Sequence, residues 1–483
     1  MGLFTVEELR EVISVKVLAG QDSLLGKRRI RQISTDSRSV RRGDLFVALK
    51  GDRYDGHEFV PAVLAQGAAG AIVHDEYRLP SSSASVRRID RPAPFLFGVR
   101  DPLFAYQQLA THHRSRFHIP IVAVTGSNGK TTTKDMVAAV LAQRWRVLKT
   151  EGNFNNRIGV PYTLFRLTAR HQAAVIEMGV DQQGQTTRLC EIVRPTIGLI
   201  TNIGPDHLEF FGSMEGSAQA KAEMLELLPA DGTAILNADD PYFDYLAARA
   251  QCRVISFGFS EMADVRASGV TSDVRQGTTF RLHLSGKSRP TIVRIKVHGT
   301  HNVTNALAAA AVGAALNLSG SMIAQGLGRF RPAAMRSQVV THQGVHIIND
   351  CYNANPASMK AALQLLAQWS PARARVAVLG DMLELGPETR QMHRDVGQFL
   401  ATQGLSRLIV CGALGRDIAE GARHGGMAGS QIDEVVDTTA AADYLKRIVR
   451  QGDVVLVKAS RGMKMEQIVH VLTGMRAVTK QAS

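Results

Sequence analysis

Thr125-Gly126-Ser127-Asn128-Gly129-Lys130-Thr131-Thr132 is the segment richest in potential chemistry, and it directly follows the apolar run Val122-Ala123-Val124. The order reads as a buried strand, a glycine-bearing loop, a lysine with hydroxyls, and a helix. Binding a chain of phosphates requires this arrangement. Glycines let backbone N–H groups approach phosphate oxygens, and the new helix turns its positive dipole end toward them. Lys130 is suited to neutralise terminal phosphates and Thr131 to offer a hydroxyl to Mg2+. The plainer alternative is a strand-to-helix turn carrying an exposed lysine. The usual phosphate-loop spacing puts a glycine five residues before Gly129, where this chain has Val124. The loop is therefore the shorter Gly-x-x-Gly-Lys-Thr-Thr, which common NTPases fit less well. An enzyme that uses ATP is the first expectation.

Other polar groups stand directly after apolar runs. Glu177 ends Ala173-Ala174-Val175-Ile176, where a carboxylate suits Mg2+ or simply caps a helix. Thr201-Asn202-Ile203-Gly204-Pro205-Asp206-His207 follows Ile197-Gly198-Leu199-Ile200 and suggests metal or phosphate coordination, although His207 taken alone reads as a hydrogen-bonded structural residue. Lys221 lies in an amphipathic helical stretch, where a lysine is by default a solvent-facing charge. Asn302 and Asn305 open an alanine-rich helix and either read an adenine edge or cap that helix; capping is favoured. Asp350-Cys351-Tyr352-Asn353-Ala354-Asn355-Pro356 suits a cleft wall or an ordinary loop, and Lys458-Ala459-Ser460-Arg461-Gly462 is suited to bind an anion.

The elements that must position these residues are those of an α/β protein. Short strand-like runs at 44–49 and 69–73 occupy the first hundred residues, with exposed loops expected at 80–85 and around Arg91-Pro92-Ala93-Pro94. A helix is expected over 102–113. From Ile119 strands and helices alternate, as in a parallel sheet whose ligands bind beyond the strands' carboxyl ends. Helices are expected over 217–228 and 358–368, with strands at 345–348, 376–380, 408–410 and 454–457. A length of 483 residues suits three domains, with boundaries near 100 and 331.

Composition narrows the class. The content of 45% hydrophobic and 21% charged residues is that of a globular protein, and the net charge of +14 suits nucleic acid, an anionic membrane or anionic substrates. No basic block is interleaved with aromatics, so nucleic acid is not the expected partner. Cys190, Cys252, Cys351 and Cys411 are scattered, which disfavours structural zinc and a disulfide framework. Glu7, Glu8 and Glu11 stand where a signal peptide would be apolar, and the alanine-rich stretch 306–316 is too short to span a bilayer. A cytoplasmic setting is expected.

In this order, from about Ser34 to Met465, these pieces resemble the Mur ligase family, the ATP-dependent amino-acid ligases of peptidoglycan synthesis. The resemblance rests on the loop 125–132, Glu177, 202–207, Lys221, His301-Asn302, Arg336 and Asp350. It implies three α/β domains. A central P-loop parallel-sheet ATPase domain (101–331) is flanked by a UDP-binding domain (1–100) and a C-terminal Rossmann-like domain (332–483). The segments 151–161, 350–356 and 379–386 resemble the branch that adds D-alanyl-D-alanine to UDP-N-acetylmuramoyl-tripeptide (UDP-MurNAc-tripeptide). The Asp-Asn-Pro-Arg tetrapeptide of the diaminopimelate-adding branch is absent. Ser34-Thr35-Asp36-Ser37-Arg38 and 51–57 look like the uridine-diphosphate domain, which folate-polyglutamate ligases lack. Cys351 replaces a usual serine, and Lys458-Ala459-Ser460-Arg461 a usual Lys-Gly-Ser-Arg.

The resemblance further implies roles. Thr125 to Thr132, Asn302 (adenine), Arg336 (phosphate) and Asp350 (ribose) would hold ATP. Ser34, Asp36, Ser37, Arg38, Asn155, Asn156, Asn353 and Asn355 would hold the other substrates. Thr131 and Glu177 would serve one Mg2+, and His207 with a carbamylated Lys221 a second. Lys130, Glu177, His207 and Lys221 would form the catalytic set, in a monomer with a hinge near 331. A sibling ligase adding the third-position diamino acid, a non-catalytic nucleotide-binding scaffold and a nucleic-acid-stimulated ATPase are the competing readings.

Overall fold

The computed structural model describes residues 2–20, 25–52, 54–80, 93–273 and 276–474. Arg53, residues 81–85 of the expected loop and the pair Arg91-Pro92 lie outside the described residues. The chain divides into two compact units. One comprises 1–121, 148–178 and 187–195; the other comprises 122–147, 179–186 and 196–483.

In the first unit, five strands form a sheet in the order Lys16–Ala19, Phe95–Val99, Gly70–His74, Leu45–Val47, Ile33–Ser34. All neighbours run parallel except Lys16–Ala19 against Phe95–Val99. Leu45–Val47 and Phe95–Val99 are buried at every position, as expected of parallel strands covered on both faces. Asp101 opens the helix Pro102–Ser115 by accepting the Leu103 and Phe104 N–H groups at 2.8 and 3.0 Å. Proline follows it at a first-turn position that needs no N–H.

In the second unit, Ile121–Thr125, Ile197–Ile200, Thr233–Asn237 and Arg253–Gly258 lie side by side and parallel. Beyond them comes a wing that the apolar runs did not announce. Val265–Asp273, Gly277–Leu284 and Thr291–Ile295 pair antiparallel, so the central sheet is parallel only where the phosphate loop emerges. Much of this wing is solvated on one face and alternates buried with exposed residues, so it lacks the continuous apolar signature of the parallel strands.

A second sheet of this unit runs in the order Gln338–His342, Val345–Asn349, Val454–Lys458, Arg375–Leu379, Arg407–Cys411, Ile432–Val435. It is parallel apart from its first pair. Successive residues serve opposite cores, Ile348 and Leu456 on one face and Ile347 and Val455 on the other. The expected helices start earlier than periodicity suggests, at Met214–Glu226 and Pro356–Gln368. Ser213 and Asn355 cap them, each accepting the N–H three residues on. No helix among the described residues is long and apolar enough to cross a membrane.

Candidate active site

The phosphate loop leaves the buried strand Ile121–Thr125 and enters the helix Lys130–Leu141. Gly126 and Gly129 have φ of +133° and +79°, and a Cβ would collide with Thr201 Oγ1 at the first and Asn305 Oδ1 at the second. Only glycine satisfies both constraints. Lys130 Nζ bonds the carbonyls of Gly126 at 2.5 Å and Ser127 at 3.1 Å, which lays its charge over the loop. Asn202 clamps Asn128 reciprocally: its Oδ1 accepts the Asn128 N–H at 3.0 Å and its Nδ2 donates to the Asn128 carbonyl at 3.1 Å. Thr201 Oγ1 donates to the same carbonyl at 2.6 Å. Thr125 and Thr131 are buried, and Thr132 is half-buried.

Behind the loop lies a polar cluster that the sequence did not assemble. Asp206 Oδ1 lies 2.6 Å from Ser127 Oγ, 3.1 Å from Ser217 Oγ and 3.2 Å from Lys221 Nζ. Lys221 Nζ also donates to Ser217 Oγ at 2.7 Å and sits 4.7 Å from the centre of the Phe211 ring. The default reading of Lys221 as a solvent-facing charge is corrected: it is 0% exposed. Burial drives its pKa down to about 8; Asp206 opposes that fall and Lys130 adds to it. Burial would raise the Asp206 carboxyl, but the Lys221 and Lys130 charges outweigh it and hold the group low. Ser217 was findable from the sequence, since it stands one helical turn before Lys221 on the same face. Asp206 was legible only as part of a run.

His207 adopts a left-handed conformation with φ +49°. Its Nδ1 lies 2.7 Å from Glu384 Oε2, within ion-pair range but not aligned as a hydrogen bond. Glu384 belongs to the 379–386 segment, and nothing in the sequence paired it with His207.

The helix Thr300–Ala315 begins at Gly299 without a side-chain cap, which corrects the capping reading of Asn302 and Asn305. Asn305 Oδ1 instead accepts Thr133 Oγ1 at 3.1 Å, and its Nδ2 donates to Asn302 Oδ1 at 3.3 Å. Asn302 Nδ2 donates to the His298 carbonyl at 2.8 Å. These amides brace the start of the phosphate-loop helix against a neighbouring helix.

Asp350, part-buried, and the buried Lys458 form a second pair: Lys458 Nζ lies 2.6 Å from Asp350 Oδ2 and donates to the Asn353 carbonyl at 2.8 Å, while the Ser337 N–H donates to Asp350 Oδ1 at 2.7 Å. Burial alone would raise the Asp350 carboxyl, but Lys458 holds it below its usual value. Lys458, read from sequence as a group for a bound anion, therefore has an internal carboxylate. Arg336 stacks on Tyr352 at 3.8 Å, between Met335 and Ser337, both of positive φ. Cys351 Sγ donates to the Val457 carbonyl at 3.3 Å, a bond open equally to the usual serine. Asn355 Nδ2 donates to Asn128 Oδ1 at 2.9 Å, so this segment reaches the phosphate loop itself.

In the first unit, Glu177 is buried at the end of the strand Ala173–Glu177. Its Oε1 accepts Asn155 Nδ2 at 2.8 Å and its N–H donates to Thr150 Oγ1 at 3.0 Å. Asn156 Oδ1 accepts the Ile158 and Gly159 N–H groups at the start of Gly159–Leu164. At the end of Ile33–Ser34, Asp36 and Arg38 form a two-pronged pair at 2.9 and 3.0 Å, and Ser34 Oγ accepts the Asp36 N–H at 3.1 Å. Arg38 holds the Asp36 carboxyl below its usual value. Ser37 lies within this turn.

Three family models match the chain: "Mur ligase family, catalytic domain" over 29–108, "Mur ligase middle domain" over 124–313 and "Mur ligase, glutamate ligase domain" over 335–461. The chain belongs to the Mur ligase family. A relative from Bacillus subtilis named UDP-N-acetylmuramoyl-tripeptide–D-alanyl-D-alanine ligase is 37% identical, over 91% of this chain and 92% of its own. The Escherichia coli protein of the same name is 35% identical, over 97% and 98%. Among solved structures, MurF from Acinetobacter baumannii superposes with a TM-score of 0.85 at 32% identity, covering 98% of this chain and 99% of its own. MurF from Thermotoga maritima in complex with ADP gives 0.80 at 28% identity, covering 92% and 97%.

Proposed function

We infer that the protein joins D-alanyl-D-alanine to the terminal carboxyl group of UDP-MurNAc-tripeptide, with conversion of ATP to ADP and phosphate, to give the UDP-linked pentapeptide of peptidoglycan synthesis. The observation that carries this reading is the end-to-end similarity to relatives of that name. The divided roles follow the expected domains, 1–100 for the uridine-diphosphate end and 101–331 for ATP; the C-terminal domain 332–483, which carries no substrate assigned from the sequence, is given to the incoming dipeptide. The protein works as a cytoplasmic monomer on small-molecule substrates.

A carboxylate is a poor electrophile until one oxygen becomes a leaving group. The tripeptide carboxylate attacks the γ-phosphorus of ATP, which breaks the bond to the bridging oxygen and yields an acyl phosphate and ADP. The dipeptide's neutral amine then adds to the acyl carbon. The tetrahedral intermediate expels phosphate and loses a proton, leaving the amide. Anions meet in both steps, so positioned positive charge does much of the work. Lys130 and the loop N–H groups of residues 126–132 hold the phosphates. Asn302 faces adenine, and Arg336 and Asp350 hold phosphate and ribose. Ser34, Asp36, Ser37, Arg38, Asn155 and Asn156 hold the UDP-linked substrate, while Asn353 and Asn355 serve the dipeptide's side.

The donor chemistry suits Mg2+. Asp206 Oδ2 is buried beside the phosphate loop with no protein partner among the described residues. No group of three or more His, Cys, Asp or Glu among them could hold a metal by itself. Thr131 and Glu177 would hold one ion and His207 and a carbamylated Lys221 a second; bound there, Mg2+ offsets charge on the transferring phosphoryl group.

The deciding experiment is phosphate release from ATP and Mg2+ with UDP-MurNAc-tripeptide, with and without D-alanyl-D-alanine. Release that needs both, with a pentapeptide product by mass, supports the reading. Silence there, with turnover of UDP-MurNAc-dipeptide and a diamino acid, reassigns the protein to a sibling ligase.

A further inference from the structure

Asn128 is held on three sides. Its N–H and carbonyl are clamped by Asn202, and its side-chain Oδ1 accepts Asn355 Nδ2 at 2.9 Å. Asn355 is 227 residues away in the chain and 8% exposed. Its amide does two jobs at once. Oδ1 accepts the Ser358 N–H at 2.9 Å as the cap of the helix Pro356–Gln368, while Nδ2 reaches Asn128. The helix start is thereby tied to the loop that carries Lys130. The tie comes from a proline-bounded turn, whose lost conformational freedom fixes the direction of the Asn355 side chain.

We propose that the Asn355–Asn128 bridge is a positioning device that registers the dipeptide-binding part of the chain on the ATP phosphate loop, so that the amine meets the acyl phosphate in attacking geometry. The step it serves rests on the ligase reading above; the bridge itself rests on the two amides. Correct approach of a nucleophile depends on sub-ångström placement, so losing one neutral hydrogen bond at this junction weakens amide formation rather than nucleotide binding.

Asn355→Ser separates the two jobs of the amide. Serine caps a helix about as well as asparagine but is too short to reach Asn128. The expected result is a loss of stability of no more than one hydrogen bond, similar to that of Asn128→Ala, with an unchanged dissociation constant for ADP. The rate of pentapeptide formation should fall by about three- to tenfold, the worth of one hydrogen bond. Asn128→Ala should lower the same rate, and the double variant should be no slower than the slower single one. Losses that multiply in the double variant, or an Asn355→Ser enzyme with the parent's rate, would overturn the bridge.

Hydrogen exchange at residues 353–358 gives a readout that needs no ligation. Adding a non-hydrolysable ATP analogue should slow exchange there in the parent and not in Asn355→Ser. Equal protection in both would also overturn the proposal. A parent that forms no pentapeptide yet shows the exchange difference would keep the bridge and sink the ligase reading instead.

Discussion

The second unit contains two lysine–aspartate pairs, each with a buried ammonium, of unlike character. Lys458 sits 2.6 Å from Asp350 and also donates to a backbone carbonyl. Lys221 lies 3.2 Å from an Asp206 oxygen that two serine hydroxyls also approach, and its remaining neighbours are Ser217 and the Phe211 ring. The first ammonium is closely matched by its carboxylate. The second is desolvated without equal compensation, and its pKa falls to about 8. That shift enlarges the share of neutral amine near neutral pH, the form that attacks carbon dioxide. The same two residue types thus make a tight ion pair in one place and, in the other, an ammonium whose pKa is lowered by burial, which suits the carbamylation proposed above. The hydrogen-bond inventory decides which.

The comparison breaks first at the tight pair. Lys458→Met should cost roughly 1.5–3 kcal/mol, because the part-buried Asp350 loses its charged partner and keeps the Ser337 N–H at 2.7 Å and hydroxyl. Denaturant unfolding followed through the buried Trp369 would measure it, and a loss below about 1 kcal/mol would contradict the pair's structural role. The pH dependence has a definite sign. The Asp350 carboxyl is lowered in the fold from 3.8, so its contribution is present above pH 3.8 and is lost as pH falls through the lower folded value. Asp350→Asn should flatten that acid limb.

For catalysis the largest effect is that of Lys130→Ala, which should remove on the order of 3 kcal/mol of transition-state stabilisation, more than a hundredfold in kcat. Turnover within tenfold of the parent would take Lys130 out of the mechanism. Lys221→Ala should slow turnover by roughly ten- to a hundredfold, the usual scale for losing support around a metal, with partial rescue by short-chain carboxylates. With 13C-bicarbonate, the parent should show a carbamate carbon signal that disappears in Lys221→Ala and persists in Lys458→Arg. Full activity of Lys221→Ala without rescue would erase the contrast. The smallest effect is Ser217→Ala, about 1 kcal/mol of stability from one hydrogen bond. No measurable change would show that Lys221 is held by Asp206 alone.

Much of this site was legible as one-dimensional pattern. The strand–loop–helix at 121–141 appears because continuous apolar residues, then glycines, then Lys130-Thr131 force that local order. Glu177, His207 and Asp350 stand at or just beyond strand ends, as parallel sheets place their functional groups. The antiparallel wing was not legible, since its half-solvated strands alternate weakly. The capping reading of Asn302 and Asn305 failed because Asn305 turns toward Thr133 and Asn302, and Asn302 toward the His298 carbonyl.

The sequence by itself determined the phosphate loop, the alternation of strand and helix, and the family to which the ordered motifs belong, because each motif is carried by residues adjacent in the chain and their order needs no contact between them. Tertiary structure alone decided that Lys221 is buried, that Glu384 meets His207, and that Asn355 reaches Asn128. Those facts arise where distant segments exclude water together, and desolvation and hydrogen-bond geometry have no signature in local spacing.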